Sequence, residues 1–188
     1  MAVTPSPLAF RYSMSAGSTT RSQRCLLPGV ALAFAWLESA NGELLACDWQ
    51  DPDDPRELVP LADIPGADRR PPPFAPDAYG RDASAWQPTP AVPPGSAHAR
   101  RVWAALSEIP VGEVRTYSEI AARVGSAPRA VGQACRANPW PLFIPCHRVV
   151  SSRFRRTHDV GGYAGDQVGE LAQVKRLLLA HEGVLKHE

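Results

Sequence analysis

The sequence lacks the features of several large classes of protein. No apolar run reaches the roughly 18 residues that a membrane-spanning helix needs. The first 17 residues, MAVTPSPLAFRYSMSAG, contain no compact apolar stretch behind a basic start. We therefore expect a cytoplasmic protein with no secretory signal and no membrane partner. Its length of 188 residues, 44% of them hydrophobic, suffices for one or two globular domains.

Cysteine is scarce, and its spacing argues against a metal cluster. The four cysteines are Cys25, Cys47, Cys135 and Cys146. None of them forms a CxxC pair, and all five histidines lie in the second half of the chain. A zinc tetrahedron needs such ligands close together, so we expect no required metal and no other cofactor. Without an export signal, the cysteines are expected to be thiols rather than disulfides.

The net charge is close to zero, but the charges are unevenly distributed. Residues 1–97 carry 7 basic against 11 acidic side chains, whereas residues 98–159 carry 10 against 4. A basic segment of this kind is typical of a surface that faces a polyanion such as nucleic acid. A solvated arginine-rich face explains the same numbers equally well.

The first half contains one clear hairpin and a long proline-rich stretch. The segments ALAFAWLE and GELLACDW flank Asn41-Gly42, a pair that favours a tight hairpin turn. Between Asp51 and Ala97 lie 12 of the 20 prolines, which disfavour helix and central strand. We expect residues 1–97 to form an N-terminal domain with a small sheet and a proline-rich linker.

From about residue 98 the apolar residues follow helical spacing. The stripe of the first helix consists of Val102, Trp103, Leu106 and Ile109. Two shorter helices follow on either side of Gly125, with Ser126 expected to cap the second and Pro128 to lie in its first turn. Two short helices joined by a glycine turn indicate a helix-turn-helix within a C-terminal domain of residues 98–188.

The second of these short helices has two distinctive surfaces. Arg129, Gln133 and Arg136 share one face. The small residues Ala127, Ala130 and Ala134 form a strip beside it. This pattern suits a close approach to DNA, but a helix packed into the core through its alanines shows the same spacing.

Cys146 follows an apolar, proline-interrupted run and precedes a histidine in NPWPLFIPCHRVV. An attacking cysteine must be a thiolate, and a neighbouring base lowers its pKa from about 8.5. His147 is a candidate base, although neighbours on an extended segment point to opposite sides, so a bridging water is expected. A buried structural cysteine remains an alternative at this point.

Five blocks in the second half resemble one family. They are TYSEIAARVG, PRAVGQA, NPWPLFIPCHRVV, GGYAG and KRLLLAHEG. In this order, over about residues 98–184, they resemble the O6-alkylguanine-DNA alkyltransferases, which are methylated-DNA–protein-cysteine S-methyltransferases. The resemblance implies an α+β protein, with a small N-terminal β-sheet domain before a mainly helical C-terminal domain that holds a winged helix-turn-helix-like DNA-binding unit.

The same resemblance implies direct-reversal DNA repair by irreversible, stoichiometric transfer of a methyl or larger alkyl group from O6-alkylguanine, or O4-alkylthymine, to Cys146. His147 and a water would pass the thiol proton to Glu182. Asn138 would help to hold this arrangement in place. Tyr117 would hydrogen-bond the guanine and help the departing base to take up a proton. The implied partner is double-stranded DNA containing O6-alkylguanine, bound by a monomer.

The resemblance also assigns contacts with DNA and with the flipped base. Arg129 would replace the flipped nucleotide in the stack, while Ala130, Gly132 and Ala134 let the helix enter the minor groove. Further contacts with the DNA backbone are expected from Thr116, Arg136, Arg153, Arg155 and Arg156. The implied base pocket consists of Pro141, Val149, Ser151, Tyr163 and Ala164.

The sequence departs from the family pattern in a few places. His98-Ala99 stands where relatives carry phenylalanine and glutamine, and Asp166 stands where a second glycine is common. The loops 151–160 and 166–174 are longer than usual, which leaves the range of alkyl groups open. Three other functions compete: an alkyltransferase-like protein that binds lesions without repairing them, a helix-turn-helix regulator and a cysteine hydrolase.

Overall fold

A computed structural model describes residues 12–16, 20–26, 31–39, 44–51, 53, 79, 82–85 and 92–185. Within these ranges a small N-terminal sheet precedes a mainly helical region, which confirms the predicted fold class. In the same part of the chain, no helix is long and apolar enough to cross a lipid bilayer. Most of the proline-rich stretch lies outside the described residues; within it, Ala83–Ala85 form a short 3-10 helix.

Four antiparallel strands form the N-terminal sheet in chain order. They are β1 (Tyr12–Ala16), β2 (Thr20–Leu26), β3 (Ala33–Ser39) and β4 (Leu44–Gln50). The two strands of the predicted hairpin are confirmed as β3 and β4, whereas the turn at Asn41-Gly42 lies outside the described residues. Phe34 pairs with Trp49 across these strands, with ring centroids 5.0 Å apart. The sheet therefore carries a buried aromatic face.

Helix α1 (Ala97–Ser107) opens the helical region. Ser96 caps it by accepting a hydrogen bond from the backbone N–H of Ala99 at 3.1 Å, which satisfies one of the free amides of the first turn. All four apolar residues of the predicted stripe are buried, but Ile109 lies beyond the end of the helix, which stops at Ser107. Trp103 lies in this stripe and donates its indole N–H to the Ala134 carbonyl at 2.8 Å.

The helix-turn-helix consists of α2 (Tyr117–Val124) and α3 (Pro128–Arg136). Gly125 ends α2 in the left-handed region, at φ 64°, as the glycine predicts. The predicted Ser126 cap is wrong. Pro128 takes the first helical position, so Ala127 becomes the N-cap and contributes no side-chain hydrogen bond. The Ser126 hydroxyl lies instead 2.8 Å from Nε2 of His98.

The remaining elements bring the cysteine segment against the helix-turn-helix. They are β5 (Arg115–Thr116), a 3-10 turn (Cys146–Arg148), β6 (Val149–Val150), α4 (Phe154–Thr157) and α5 (Glu170–His181). Strands β5 and β6 pair in parallel. This pairing joins the start of α2 to the residues that follow Cys146. Glu182 is the C-cap of α5.

One continuous hydrophobic core crosses the boundary expected between residues 97 and 98. It includes Phe34 and Trp49 from the sheet together with Trp103 and Phe143 from the helical region. The rings of Phe34 and Phe143 lie 6.1 Å apart between centroids. The aromatic face of the sheet is therefore packed against the segment that leads to the cysteine.

Candidate active site

A cavity of about 640 Å³ opens between the helix-turn-helix and the loop that follows α4. The predicted site residues that line it are Tyr117, Arg129, Gly132, Arg136, Cys146, Ser151, Tyr163 and Ala164. Its volume lies within the range of about 300–1,000 Å³ that is usual for small-molecule sites. The cavity is therefore large enough to receive a nucleobase, and two cysteines, Cys135 and Cys146, lie in its wall.

The Cys146 side chain is 4% exposed. Its Sγ lies 3.2 Å from the Asn138 side-chain amide, which also donates to the Ile144 carbonyl at 2.9 Å. Burial raises the pKa of the thiol, while the hydrogen bond from Asn138, the charge of Lys175 and the Tyr163 hydroxyl oppose that rise. The thiol is therefore protonated at rest, in surroundings that favour the thiolate once a base removes the proton.

The other two cysteines with described side chains, Cys47 and Cys135, accept no side-chain hydrogen bond like that of Asn138, although Lys175 also opposes the rise in the pKa of Cys135. Burial raises the pKa of both thiols. The Cys47 thiol donates to the carbonyls of Pro139 and Pro141, at 3.7 and 3.8 Å, and so acts as a structural donor. Among the described thiols, hydrogen-bond donors converge on the sulfur of Cys146.

His147 and Glu182 form a buried pair. Nε2 of the imidazole lies 3.0 Å from Oε1 of Glu182. Burial raises the pKa of Glu182, but His147 and Arg148 outweigh it and bring that pKa to about 2. An ionised carboxylate only accepts hydrogen bonds, so Nε2 carries the hydrogen and Nδ1 keeps its lone pair. Nδ1 is buried without a hydrogen-bond partner among the described residues, which leaves it available as a base.

The backbone around the thiol differs from the expected extended segment, because Cys146, His147 and Arg148 form a 3-10 turn. Side chains in such a turn are distributed around a helical axis, so the two-sided arrangement of a strand does not apply. Burial lowers the pKa of His147, although Glu182 opposes the change. The imidazole is therefore neutral near pH 7 and able to accept a proton.

Two partners of Glu182 were not predicted. Arg148 is fully buried and donates to both carboxylate oxygens, through Nε at 2.9 Å and Nη2 at 2.8 Å. The Tyr79 hydroxyl donates to Oε1 at 3.0 Å from a distant part of the chain. Arg148 could have been recognised from the sequence, because it is a charged residue inside the apolar run around PCHRVV. No local pattern identifies Tyr79.

Two further side chains support the cavity wall near the thiol. The indole N–H of Trp49 donates to the Tyr163 hydroxyl at 3.1 Å. Lys175 is buried on the apolar face of α5, where its Nζ donates to the carbonyls of Val149 at 2.6 Å and Gly162 at 3.1 Å. Burial lowers the pKa of Lys175 to about 8. A lysine beside a run of leucines could have been recognised from the sequence as an unusual buried charge. No sequence pattern singles out Trp49.

Helix α3 presents only part of the predicted DNA-facing surface. Arg129 and Arg136 are exposed, Ala130 is half-buried, and Gly132 lies beside the Tyr117 ring. The prediction is wrong for Ala134, which is 4% exposed. Its carbonyl accepts the Trp103 indole, because this side of α3 packs on α1. Ala134 therefore packs in the core, which is the alternative given above for the alanines of this helix.

Three other predicted residues lie outside the cavity lining. Pro141 and Val149 are buried in the interior, where the carbonyl of Pro141 accepts the Cys47 thiol and that of Val149 accepts Lys175. These carbonyls are bonded to other residues of the protein. The structure therefore does not place Pro141 or Val149 in the cavity wall, where they were predicted. Thr116, which was predicted to contact the DNA backbone, also lies outside the cavity wall and forms a capping box with Glu119 at the start of α2.

The basic residues after the thiol lie on the surface. Arg153 precedes α4, and Arg155 and Arg156 lie within it; all three are exposed. Together with Arg129 and Arg136 they place positive charge on the part of the surface that surrounds the cavity mouth and α4. Exposed guanidinium groups of this kind suit phosphate contacts.

Comparison with known sequences places residues 97–184 in the family described as the DNA-binding domain of 6-O-methylguanine DNA methyltransferase. The methylated-DNA–protein-cysteine methyltransferase of Archaeoglobus fulgidus is 46% identical over 92 residues, which cover 47% of this chain and 58% of that protein. The constitutive enzyme of that name from Bacillus subtilis is 45% identical over 92 residues, covering 48% and 51%. The chain thus matches about half the length of these relatives.

Solved structures extend the similarity to the N-terminal half. A crystallised variant of the Mycobacterium tuberculosis O6-methylguanine methyltransferase superposes with a TM-score of 0.54 at 26% identity. This match covers 82% of the present chain and 88% of the other. The arrangement of a small sheet before a helical region is therefore shared beyond the residues of the family match.

Proposed function

Residues 97–184 belong to the family of the 6-O-methylguanine DNA methyltransferase DNA-binding domain, and from this premise we propose that the protein repairs DNA by moving an alkyl group from O6-alkylguanine to Cys146. One observation carries the proposal: a thiol in the wall of a base-sized cavity, hydrogen-bonded by Asn138 and followed by a buried histidine–carboxylate pair. A DNA-binding regulator has no need of that arrangement.

In the proposed reaction, the Cys146 sulfur attacks the alkyl carbon. The S–C bond forms as the O6–C bond breaks, and the electron pair of the broken bond stays on guanine, which takes up a proton. The thiol proton passes through a water to Nδ1 of His147, and the resulting imidazolium is stabilised by Glu182. The product is a stable thioether, so each molecule reacts once.

The opposite wall of the cavity supports the base. Tyr117 lines the cavity, and burial raises its pKa, so its hydroxyl is protonated at neutral pH and can donate to the leaving guanine. Arg129 projects from the first turn of α3 at the rim of the same cavity, where it can fill the gap left by an extruded nucleotide. Arg136 and the arginines of α4 would hold the phosphates without regard to base sequence.

The test is to incubate the protein with a duplex that contains one O6-methylguanine and to analyse the cysteine peptides by mass. We expect one methyl group per protein molecule, on Cys146. Cys146→Ser should bind the lesion without accepting methyl, while the matched variant Cys47→Ser should react like the parent protein. Absence of methyl on Cys146 of the parent protein would refute the proposal.

The same experiment separates the competing functions. A lesion-binding protein without repair activity would retain the modified base in the duplex while binding it in preference to normal DNA. A regulator would bind one DNA sequence whether or not the lesion is present, and a cysteine hydrolase would be indifferent to the duplex. We favour repair because a lesion-binding protein does not require the thiol.

We also propose that residues 1–97 and 98–188 are separate domains joined by the shared core, in a monomer that acts on double-stranded DNA. The range of larger alkyl groups accepted, and activity on O4-alkylthymine, can be measured with the same mass readout on duplexes that carry each lesion. Sedimentation of the protein with and without DNA tests the monomer.

A further inference from the structure

A tryptophan of the N-terminal sheet contacts the wall of the cavity that holds the thiol. Trp49 lies in β4 and is 7% exposed. Its Nε1 is 3.1 Å from the hydroxyl oxygen of Tyr163, 114 positions further along the chain. The contact is buried on both sides, so water does not compete for it. Tyr163 and Cys146 line the same cavity, and the Tyr163 hydroxyl opposes the rise in the pKa of the Cys146 thiol.

The chemistry of the two groups fixes the direction of the hydrogen bond between Trp49 and Tyr163. An indole N–H is a donor only, so the Tyr163 oxygen must accept from Trp49. A phenol has a single hydrogen, and with the oxygen already accepting from Trp49 that hydrogen is free to point to Sγ of Cys146. Once the sulfur has lost its proton it can only accept, and the Tyr163 hydroxyl is then able to donate to it. A donor of this kind favours a thiolate over a thiol.

We propose that Trp49 is a positioning residue for the acceptor thiol: it orients the Tyr163 hydroxyl so that this group donates to the sulfur as negative charge develops on it. The inference deepens the proposed function and rests on it for the biological meaning of Cys146. It assigns the N-terminal sheet a part in the reaction, through one buried indole.

The test measures the reactivity of Cys146 without any DNA. Iodoacetamide forms an S–C bond and releases iodide, and the thiol proton goes to the solvent, so the rate follows the thiolate fraction. Labelling of Cys146 is measured by peptide mass between pH 6 and pH 10. Trp49→Phe keeps an aromatic ring and removes the N–H. We expect its rate profile to move to higher pH, with labelling roughly three- to tenfold slower at neutral pH.

The control is Trp36→Phe. Trp36 lies on β3 of the same sheet and is 2% exposed, so its replacement disturbs the same aromatic face. We expect a comparable loss of thermal stability and an unchanged pH profile. A purely structural role of Trp49 would make the two variants behave alike.

A double-variant comparison tests the route through Tyr163. Tyr163→Phe alone should shift the profile at least as far as Trp49→Phe does, and adding Trp49→Phe to it should shift the profile no further. An unshifted profile in either single variant, or a full second shift in the double variant, would overturn the inference. Should Trp49→Phe not fold, the Tyr163→Phe profile alone decides.

The labelling result and the repair result are separable. If the protein takes no methyl from an O6-methylguanine duplex but the labelling profile moves as expected, the proposed function fails and the role of Trp49 in tuning the thiol stands. If methyl is transferred and the labelling profile does not move, the proposed function stands and the role of Trp49 fails.

Discussion

The helical region and the N-terminal sheet contribute to the site in different ways. The helical region supplies the thiol, the base and the carboxylate from two short segments, Cys146–Arg148 and the end of α5. The sequence before residue 92 supplies two single side chains: Trp49 donates to Tyr163 in the cavity wall, and Tyr79 donates to the Glu182 carboxylate. Reacting groups thus come from compact segments, whereas their support comes from distant parts of the chain. We therefore expect changes in the helical region to have the larger effects.

The largest expected effect is that of Arg148→Leu. Arg148 donates to both oxygens of the buried Glu182 carboxylate, and its removal leaves that charge without its cationic partner. We expect the free energy of unfolding to fall by roughly 3–5 kcal/mol, measured by urea denaturation. The control is Arg155→Leu on the exposed surface of α4, which should change stability little. Equal losses in the two variants would contradict the buried network.

The second effect is a dependence of stability on acid. The pKa of Glu182 falls from 4.5 to about 2 in the folded protein. The unfolded chain therefore takes up this proton first, and stability is present above pH 4.5 and lost as the pH falls toward 2, by up to about 3 kcal/mol. Glu182→Gln should be less stable at neutral pH and should lack this part of the slope. Parallel stability curves for the two proteins would count against the assignment.

Much of this region was predictable because its chemistry is local. Gly125 and Pro128 act on neighbouring backbone, so the helix-turn-helix could be inferred from spacing. The sequence blocks around Cys146 and Glu182 are also short and continuous, so their resemblance to the family could be recognised from the sequence. The error at Ser126 was also local, because a proline in the first turn can be the first or the second helical residue, and these choices make Ala127 or Ser126 the N-cap.

The rest depended on packing, which spacing does not encode. Ala130 and Ala134 are one helical turn apart and look equivalent in sequence, yet only Ala134 is buried, with its carbonyl bonded to Trp103 of α1. Trp49 and Tyr79 meet their partners across more than 100 positions, and strands β1 and β2 gave no recognisable hairpin signal. Non-local contacts of this kind are set by how the sheet docks on the helices.

A third prediction concerns the surface of the helical region. Arg129→Ala should slow methyl transfer from a duplex by roughly 10- to 100-fold, because base extrusion costs a few kcal/mol that the arginine is proposed to offset. Transfer from the free base O6-methylguanine needs no extrusion and should be unaffected. Peptide mass analysis at timed intervals measures both rates. An equal loss on duplex and free base would place Arg129 in the chemistry instead of in DNA binding.

The smallest expected effect comes from the sequence before residue 92, at Tyr79. Tyr79→Phe keeps the ring that packs edge-on against His181, with centroids 5.0 Å apart, and removes the hydroxyl that donates to Glu182. Glu182 keeps its bonds to Arg148 and His147, so we expect a stability loss of about 1 kcal/mol and a roughly two- to fivefold slower transfer. Because the carboxylate loses one donor, it holds the His147 proton more strongly, and the acid limb of the rate profile should move to higher pH. A loss as large as that of Arg148→Leu would remove the distinction between reacting region and supporting region.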